Sequence, residues 1–83
     1  MSRVLDAMKR LCTEDKRNLK QAVTAFAWKP SVATIRRYCL DGLWSPILGE
    51  RVYLEFYREG WTYITSVQAI ERFCARINGL DEE

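Results

Sequence analysis

The sequence predicts a small α+β domain. Two hydrophobic patterns and one turn signal support this prediction. Apolar residues recur at the spacing of an amphipathic helix in four separate stretches. From Val52 to Tyr57 the pattern changes to alternation of apolar and polar residues, which is typical of a half-buried β-strand. Gly60 follows closely and suits a tight hairpin turn, because glycine adopts positive φ without strain. We therefore expect four helices and one two-stranded antiparallel β-hairpin in a single domain of 83 residues.

The first helix is expected within residues 1–12, where Ser2 can cap it. Its apolar stripe comprises Val4, Leu5, Met8, Leu11 and Cys12. A helix with one apolar face either covers the core of the domain or pairs with a second copy of the chain. This prediction divides the chain into an N-terminal amphipathic helix, residues 1–12, and the domain proper, residues 13–83.

The second helix is expected from about Glu14 to Ala27, with Thr13 as its cap. Its apolar stripe comprises Leu19, Ala22, Val23 and Phe26. A tight connection follows at residues 28–30, because Pro30 discourages the helix from continuing.

The third helix is expected to begin after Ser31 and to end before Gly42. The Ser31 hydroxyl can accept a hydrogen bond from the first turn, and Gly42 can adopt the positive φ that ends a helix. At about 100° per residue, one face holds Val32, Ile35 and Cys39, and the other holds Ala33, Thr34, Arg37 and Asp41. We expect the first face to pack inward and the second to remain accessible.

The hairpin and a fourth helix are expected to complete the domain. Glu59-Gly60 should form the two-residue turn and Trp61 to Ile64 the return strand, so that Arg58 and Trp61 flank the tip. Thr65 or Ser66 can cap the last helix, and Thr65 with Gln68 fits a capping box. The apolar stripe of that helix comprises Val67, Ile70, Phe73, Cys74 and Ile77.

Charge is distributed unevenly along the chain, although the net charge is only +2. Residues 1–51 hold ten Lys and Arg against five Asp and Glu, whereas residues 52–83 hold three against six. Between Lys16 and Arg37 there are six basic residues and no acidic one. An arginine pair on a helix most often lies on a solvated face, but a basic patch of this extent is typical of a phosphate-binding surface.

The sequence lacks residues that catalytic, cofactor and metal sites usually need. The sequence contains no His and no motif for a phosphate loop or a Ser or Cys nucleophile. Cys12, Cys39 and Cys74 are widely spaced on predicted apolar faces, which favours buried thiols over metal ligands or a disulfide. We therefore expect no enzyme activity, no cofactor, no metal and no small-molecule substrate. The absence of a long apolar segment or a secretory signal predicts a cytoplasmic protein without a membrane partner.

Two stretches resemble the DNA-binding domain of the MerR superfamily, which includes the phage and plasmid excisionases and excisionase-like regulators. Residues 34–46, TIRRYCLDGLWSP, are similar to the second helix and following turn of that family, with an aromatic residue at Tyr38 and Gly-Leu at 42–43. Residues 60–73, GWTYITSVQAIERF, are similar to its passage from the wing into a Ser/Thr-capped helix. The resemblance covers roughly residues 19–75.

The chain also departs from the family pattern. Lys29-Pro30 stands where the family usually has Gly-Val, and the segment between Pro46 and Tyr63 is longer than in a minimal wing. The long dimerising helix and effector domain of the full transcriptional regulators have no counterpart here. We therefore expect no effector sensing.

The resemblance implies a winged helix-turn-helix fold in which the hairpin is the wing. It implies sequence-specific binding of double-stranded DNA, either as an excisionase-like protein that sets the direction of recombination or as a small transcriptional regulator of a mobile element. An integrase or a second copy of the chain is the expected protein partner. The expected DNA contacts are Lys29, Ser31, Ala33, Thr34, Arg36, Arg37, Arg58 and Trp61.

Two alternatives use the same fold. The first is a protein-interaction module, with the acidic Glu50, Glu55 and Glu59 of the hairpin region as the contact surface. It accounts for a wing that is not basic. The second is a DNA-packaging protein that resembles a terminase small subunit, which the fold alone does not distinguish from an excisionase-like or regulatory DNA-binding protein.

Overall fold

The structure, a computed structural model, describes residues 8–79. Residues 8–11 are helical and are called α1, although the expected first helix extends into residues 1–7, which lie outside the described part. The elements that follow are β1 (Lys16–Asn18), α2 (Leu19–Ala22), a 3-10 turn (Val23–Ala25), α3 (Val32–Leu40), β2 (Leu43–Ser45), β3 (Glu50–Val52), β4 (Tyr57–Glu59), β5 (Thr62–Ser66) and α4 (Val67–Ile77).

The strands form two antiparallel sheets. In the three-stranded sheet the order is β1-β5-β4, so that β5 pairs with its hairpin neighbour β4 and with β1 from near the start of the described chain. The second sheet is the β2-β3 hairpin, in which Leu43 lies opposite Val52 and Trp44 opposite Arg51. The expectation of a winged helix-turn-helix with four helices and a single two-stranded hairpin is therefore wrong. The described residues have α+β architecture with five strands in two sheets.

The second helix is the first place where the sequence prediction fails. Residues 16–18 form a strand, with Arg17 opposite Thr65 and Asn18 opposite Ile64. The helix begins only after Asn18, whose side chain accepts from the Gln21 backbone N–H at 2.8 Å while the Gln21 side chain accepts from the Asn18 N–H at 3.0 Å. This capping box starts the helix later than the expected cap at Thr13. Residues 14–18 supply no apolar residue to a helical stripe, so they gain more by pairing with β5.

The hairpin turn is shifted by one residue from its predicted position. Glu59 pairs with Thr62 and Arg58 with Tyr63, so the two turn residues are Gly60 and Trp61. Gly60 has φ +63°, as the turn requires. The shift changes the cross-strand partner of Arg58 from Trp61 to Tyr63.

The alternating stretch after Val52 is only partly a strand. Residues 53–56 join no strand ladder, and the Leu54 N–H donates instead to the Tyr38 carbonyl of α3 at 3.1 Å. Both Val52 and Leu54 are nonetheless buried, so the alternation correctly predicts which side chains face inward. The side chains of Val52 and Leu54 are therefore buried, and the backbone at Leu54 is bonded to α3 and not to a strand.

The core lies between the helices and the three-stranded sheet. Phe73 of α4 packs against the rings of Phe26 and Tyr38, with centroid distances of 6.2 Å and 5.1 Å. Leu11, the last residue of α1, is fully buried in the same cluster. The other buried apolar residues are Leu19, Ala22, Ile35, Cys39, Val52, Leu54, Tyr57, Ile64, Ala69 and Ile70. The described end of the first helix therefore packs against the domain core.

Caps at two helix starts follow the sequence prediction. The Ser31 hydroxyl accepts from the Thr34 N–H at the start of α3, and Gly42 has φ +77° just after its end. Ser66 caps α4 by accepting from the Ala69 N–H at 2.8 Å. Thr65 takes no part in that cap, because its hydroxyl donates to the Glu55 carbonyl.

A network of ion pairs holds α4 to two other segments of the chain. Arg72 lies 2.8 Å from a carboxylate oxygen of Glu14 and 2.7 Å from one of Glu55. Arg10 lies 2.9 Å from the same Glu55 oxygen. The hydrogen bond from Arg72 lowers the pKa of Glu14 below its ordinary value. The carboxylate of Glu55 is therefore already paired with two cations of its own chain.

Candidate nucleic-acid interface

Helix α3 presents a basic face to solvent. Ile35, Tyr38 and Cys39 are buried against the core, whereas Arg36 and Arg37 are exposed. The exposed face also includes Ala33, as the helical spacing predicts. Val32 was expected to pack inward, but its side chain is 37% exposed. The helix therefore offers two adjacent guanidinium groups beside a small side chain that permits close approach.

The hydroxyls at the start of α3 have structural partners. Ser31 Oγ lies 3.0 Å from Thr34 Oγ1 and also accepts from the Thr34 backbone N–H at 3.2 Å. Thr34 is half-buried. The structure thus brings these two predicted DNA contacts together as a helix cap.

The connection before α3 places another predicted contact at the surface. Lys29 is exposed and has φ +45°, the left-handed region that glycine occupies most readily. Its N–H donates to the Phe26 carbonyl at 3.2 Å, which closes the turn between the two helical segments. Beside it, the indole N–H of Trp28 donates to the Tyr38 hydroxyl at 3.2 Å. These hydrogen bonds fix the approach to the first turn of α3.

Arg36 of α3 and Arg58 of β4 meet at one aromatic ring. The guanidinium carbon of Arg36 lies 5.7 Å from the centroid of the Tyr63 ring, and that of Arg58 lies 5.9 Å from it. The Tyr63 ring is stacked on Phe56, with a centroid distance of 5.2 Å and an interplanar angle of 13°. Arg58 and Tyr63 are direct cross-strand partners. The basic face of α3 and the β4-β5 hairpin are therefore joined by four side chains into one surface.

Trp61 occupies the hairpin turn. Its side chain is 91% exposed, the highest value among the large apolar side chains of the described residues. It was expected beside the turn and opposite Arg58, but it lies within the turn itself. An indole in this position is accessible to a ligand approaching the end of the hairpin.

The acidic residues near this surface are largely paired within the chain. Glu59 lies 3.7 Å from the Lys16 ammonium and accepts from the Tyr57 hydroxyl at 2.8 Å. Glu55 is paired with Arg10 and Arg72, as described above. Both carboxylates are therefore partly neutralised by groups of the protein itself.

Tyr63 and Phe56 are the residues of this surface that the sequence analysis did not select. Phe56 lies in the alternating stretch predicted to form a strand, and Tyr63 lies in the motif at residues 60–73. Neither was predicted to contact DNA. The signal that identifies Tyr63 is the hairpin register, because a turn at Gly60-Trp61 places it opposite Arg58. A turn predicted one residue earlier, at Glu59-Gly60, places Arg58 opposite Trp61 and so does not predict its contact with Tyr63.

The cysteines differ in their surroundings. Cys39 is buried, and burial raises the pKa of its thiol to about 12. Cys74 is half-buried, and burial also raises its pKa. Cys12 was expected to be buried but is exposed.

Residues 8–79 hold neither a metal-binding cluster nor a membrane-spanning helix. No group of three or more His, Cys, Asp or Glu side chains in this part of the chain is placed to hold a metal ion. Of the helices described, none is long and apolar enough to cross a membrane.

Comparison with known proteins yields no match to any family model, curated protein or solved structure. The resemblance to the MerR superfamily thus stays a prediction from the sequence motifs. The surface formed by α3 and the β4-β5 hairpin is the feature of the described residues that bears most directly on function.

Proposed function

We propose that this chain is a small, cytoplasmic, sequence-specific double-stranded DNA-binding protein. In this proposal α3 lies in the major groove and the β4-β5 hairpin contacts the neighbouring backbone. The observation that supports it most directly is the meeting of Arg36 and Arg58, from separate elements, at the Tyr63 ring. Two cations held beside each other on one exposed surface match the negative charge of a DNA backbone.

The exposed residues of α3 have separate roles in the proposal. Arg37 and Ala33 face the groove, since both are exposed and neither approaches the hairpin in any contact described. Arg36, Lys29 and Arg58 contact phosphates. Because the side chains of Ser31 and Thr34 are hydrogen-bonded to each other, they support the helix start, and their contact with DNA is secondary. Trp61 reaches the DNA from the hairpin turn.

The pairing of the acidic residues favours DNA over the alternative of a protein-docking surface. A docking surface built on Glu50, Glu55 and Glu59 needs accessible, unpaired carboxylates. Two of the three are instead engaged by Lys16, Arg10 or Arg72. The same pairing reduces the repulsion that a phosphate backbone would otherwise meet at the hairpin.

The biological use that we propose follows from the sequence resemblance. It is either an excisionase-like role in recombination, with an integrase or a second copy of the chain as partner, or small-scale transcriptional regulation in a mobile element. Both uses need a duplex-binding surface. Neither needs an effector domain.

Arg58→Glu should weaken DNA binding on every duplex sequence. The substitution replaces a cation that faces phosphates with an anion, and it should make the salt dependence shallower by about one phosphate contact. The measurement is an affinity titration at two salt concentrations, on a random duplex and on a duplex selected from a random library. The loss should be similar on both duplexes.

A matched control is Arg51→Glu, which makes the same charge change on an exposed residue of the β2-β3 hairpin. We expect a smaller loss from this control. If Arg58→Glu left affinity unchanged on both duplexes, the β4-β5 hairpin would have no phosphate contact. If wild-type protein bound neither duplex, the proposed function itself would be wrong.

A further inference from the structure

The Tyr63 ring is held firmly in place by its neighbours. It is half-buried on β5 and stacked almost parallel to Phe56, whose segment runs between the two sheets. The guanidinium groups of Arg58, its cross-strand partner, and of Arg36 from α3 both lie within about 6 Å of the ring centroid. The packing of the Tyr63 ring therefore restricts its movement, and the flexible side chains of two arginines both contact it.

Contact with the ring changes the electrostatic energy and the conformational freedom of both arginine side chains before any ligand binds. A guanidinium near an aromatic face is attracted by the negative face of the π-system, which opposes the repulsion between the two cations. The contact also reduces the number of conformations that each long side chain samples, so less entropy is lost when a phosphate is bound. Both effects prepare the pair for an anionic ligand.

The geometry limits how far apart the two arginines bind. Their guanidinium carbons lie 5.7 Å and 5.9 Å from the same centroid. They are therefore at most about 12 Å apart, a span that covers about three steps of axial rise along one DNA strand. In the proposed pose α3 lies in the major groove, which is about 12 Å wide. Two cations no farther apart than the width of that groove fit phosphates of one bordering backbone better than phosphates of both.

We infer that Tyr63 is a positioning residue that holds Arg36 and Arg58 as a single clamp on neighbouring phosphates of one DNA strand. This inference rests on the proposed DNA-binding function and deepens it. Arg36 belongs to helix α3 and Arg58 to strand β4. The clamp makes them one binding unit that fixes the angle between α3 and the backbone.

The first test is a double-mutant cycle on a duplex selected from a random library by the wild-type chain. Tyr63→Leu should weaken binding by about tenfold, because the contacts of both arginines with the ring are lost. Tyr63→Phe keeps the ring and should bind like the wild type. In the wild-type background Arg36→Ala and Arg58→Ala should be non-additive, and in the Tyr63→Leu background they should become additive.

Tyr53→Leu is the matched control for the loss of a partly exposed tyrosine ring, since Tyr53 lies beside Gly42 and has no arginine contact among those described. It should leave affinity unchanged. Thermal unfolding of each variant identifies the temperature at which all are folded, and affinities are compared there. If the two arginine substitutions were equally additive with and without the Tyr63 ring, Tyr63 would have no positioning role.

The second test locates the phosphates and does not require a Tyr63 variant to fold. Single phosphates of the selected duplex are replaced one at a time by uncharged methylphosphonate. Arg36→Ala and Arg58→Ala should each abolish sensitivity at phosphates on the same strand, within about three steps of one another. Sensitive phosphates on opposite strands, or farther apart, would overturn the clamp while leaving DNA binding intact. Failure of the wild-type chain to select any duplex would refute the proposed function instead.

Discussion

Phe73→Ala should lower the free energy of unfolding by about 3–5 kcal/mol. Phe73 is only 2% exposed, and its ring packs against both Phe26 and Tyr38. Removing it deletes apolar contacts and leaves a cavity beside the rings of two other segments of the chain. Because the stability of a small domain is itself only about 5–15 kcal/mol, we expect the variant to be close to unfolded at room temperature.

Glu71→Ala is the matched control, because Glu71 is exposed on the same helix α4. We expect this control to change stability by no more than about 0.5 kcal/mol. Chemical denaturation of both variants, followed by far-UV circular dichroism, measures the difference. An unmoved denaturation midpoint for Phe73→Ala would contradict the described packing of α4 against the core.

Arg37→Ala should leave the fold intact and remove most of the specific affinity for DNA. The side chain is exposed on α3, about 100° around the helix from the arginine that contacts Tyr63. In the major groove its guanidinium can make a bidentate contact with guanine, which is worth about 1–3 kcal/mol of discrimination. We expect a larger loss on the selected duplex than on a random one.

Lys9→Ala removes the same charge from an exposed residue of α1 and controls for net charge alone. A gel-shift titration of both variants, together with their thermal transitions, makes the comparison. Equal affinity of Arg37→Ala and the wild type on the selected duplex would remove Arg37 from the interface. A lost thermal transition would instead assign it a structural role.

Helices α3 and α4 and their ends were predictable from the sequence because the signals are local, whereas the start of the second helix was not. Ser31 caps α3 and Gly42 follows it with positive φ, as the cap residues predicted. Ile70 and Phe73 are buried on α4, as the apolar stripe predicted. These features depend on residues within one or two turns of each other.

The short strands were not predictable for the opposite reason. Strand β1 spans Lys16–Asn18 and pairs with Ser66, Thr65 and Ile64, about fifty residues later in the chain. Three polar residues cannot display a period of two, and they read equally well as the start of a helix. Strand β2 is also three residues long, which is too short to display an alternating pattern. Two sheets therefore replaced the expected single hairpin.

The candidate site shows the same division between local and long-range information. The exposure of Ala33 and Arg37 follows from helical spacing, and the structure agrees with it. The contact of Arg36 with Tyr63 depends on how α3 packs against the hairpin, which no local pattern encodes. A one-residue error in the turn was sufficient to assign Arg58 the wrong partner.

The most direct test of the central claim is the salt dependence of duplex binding by the wild-type chain. Dissociation constants for a random and a selected duplex are measured over a series of sodium chloride concentrations. If Arg36, Arg58 and Lys29 contact phosphates, the logarithm of the association constant should fall with the logarithm of salt concentration with a slope of about −2.7 or steeper. Binding that is absent at low salt, or that does not change with salt, would contradict the proposal that this surface binds DNA.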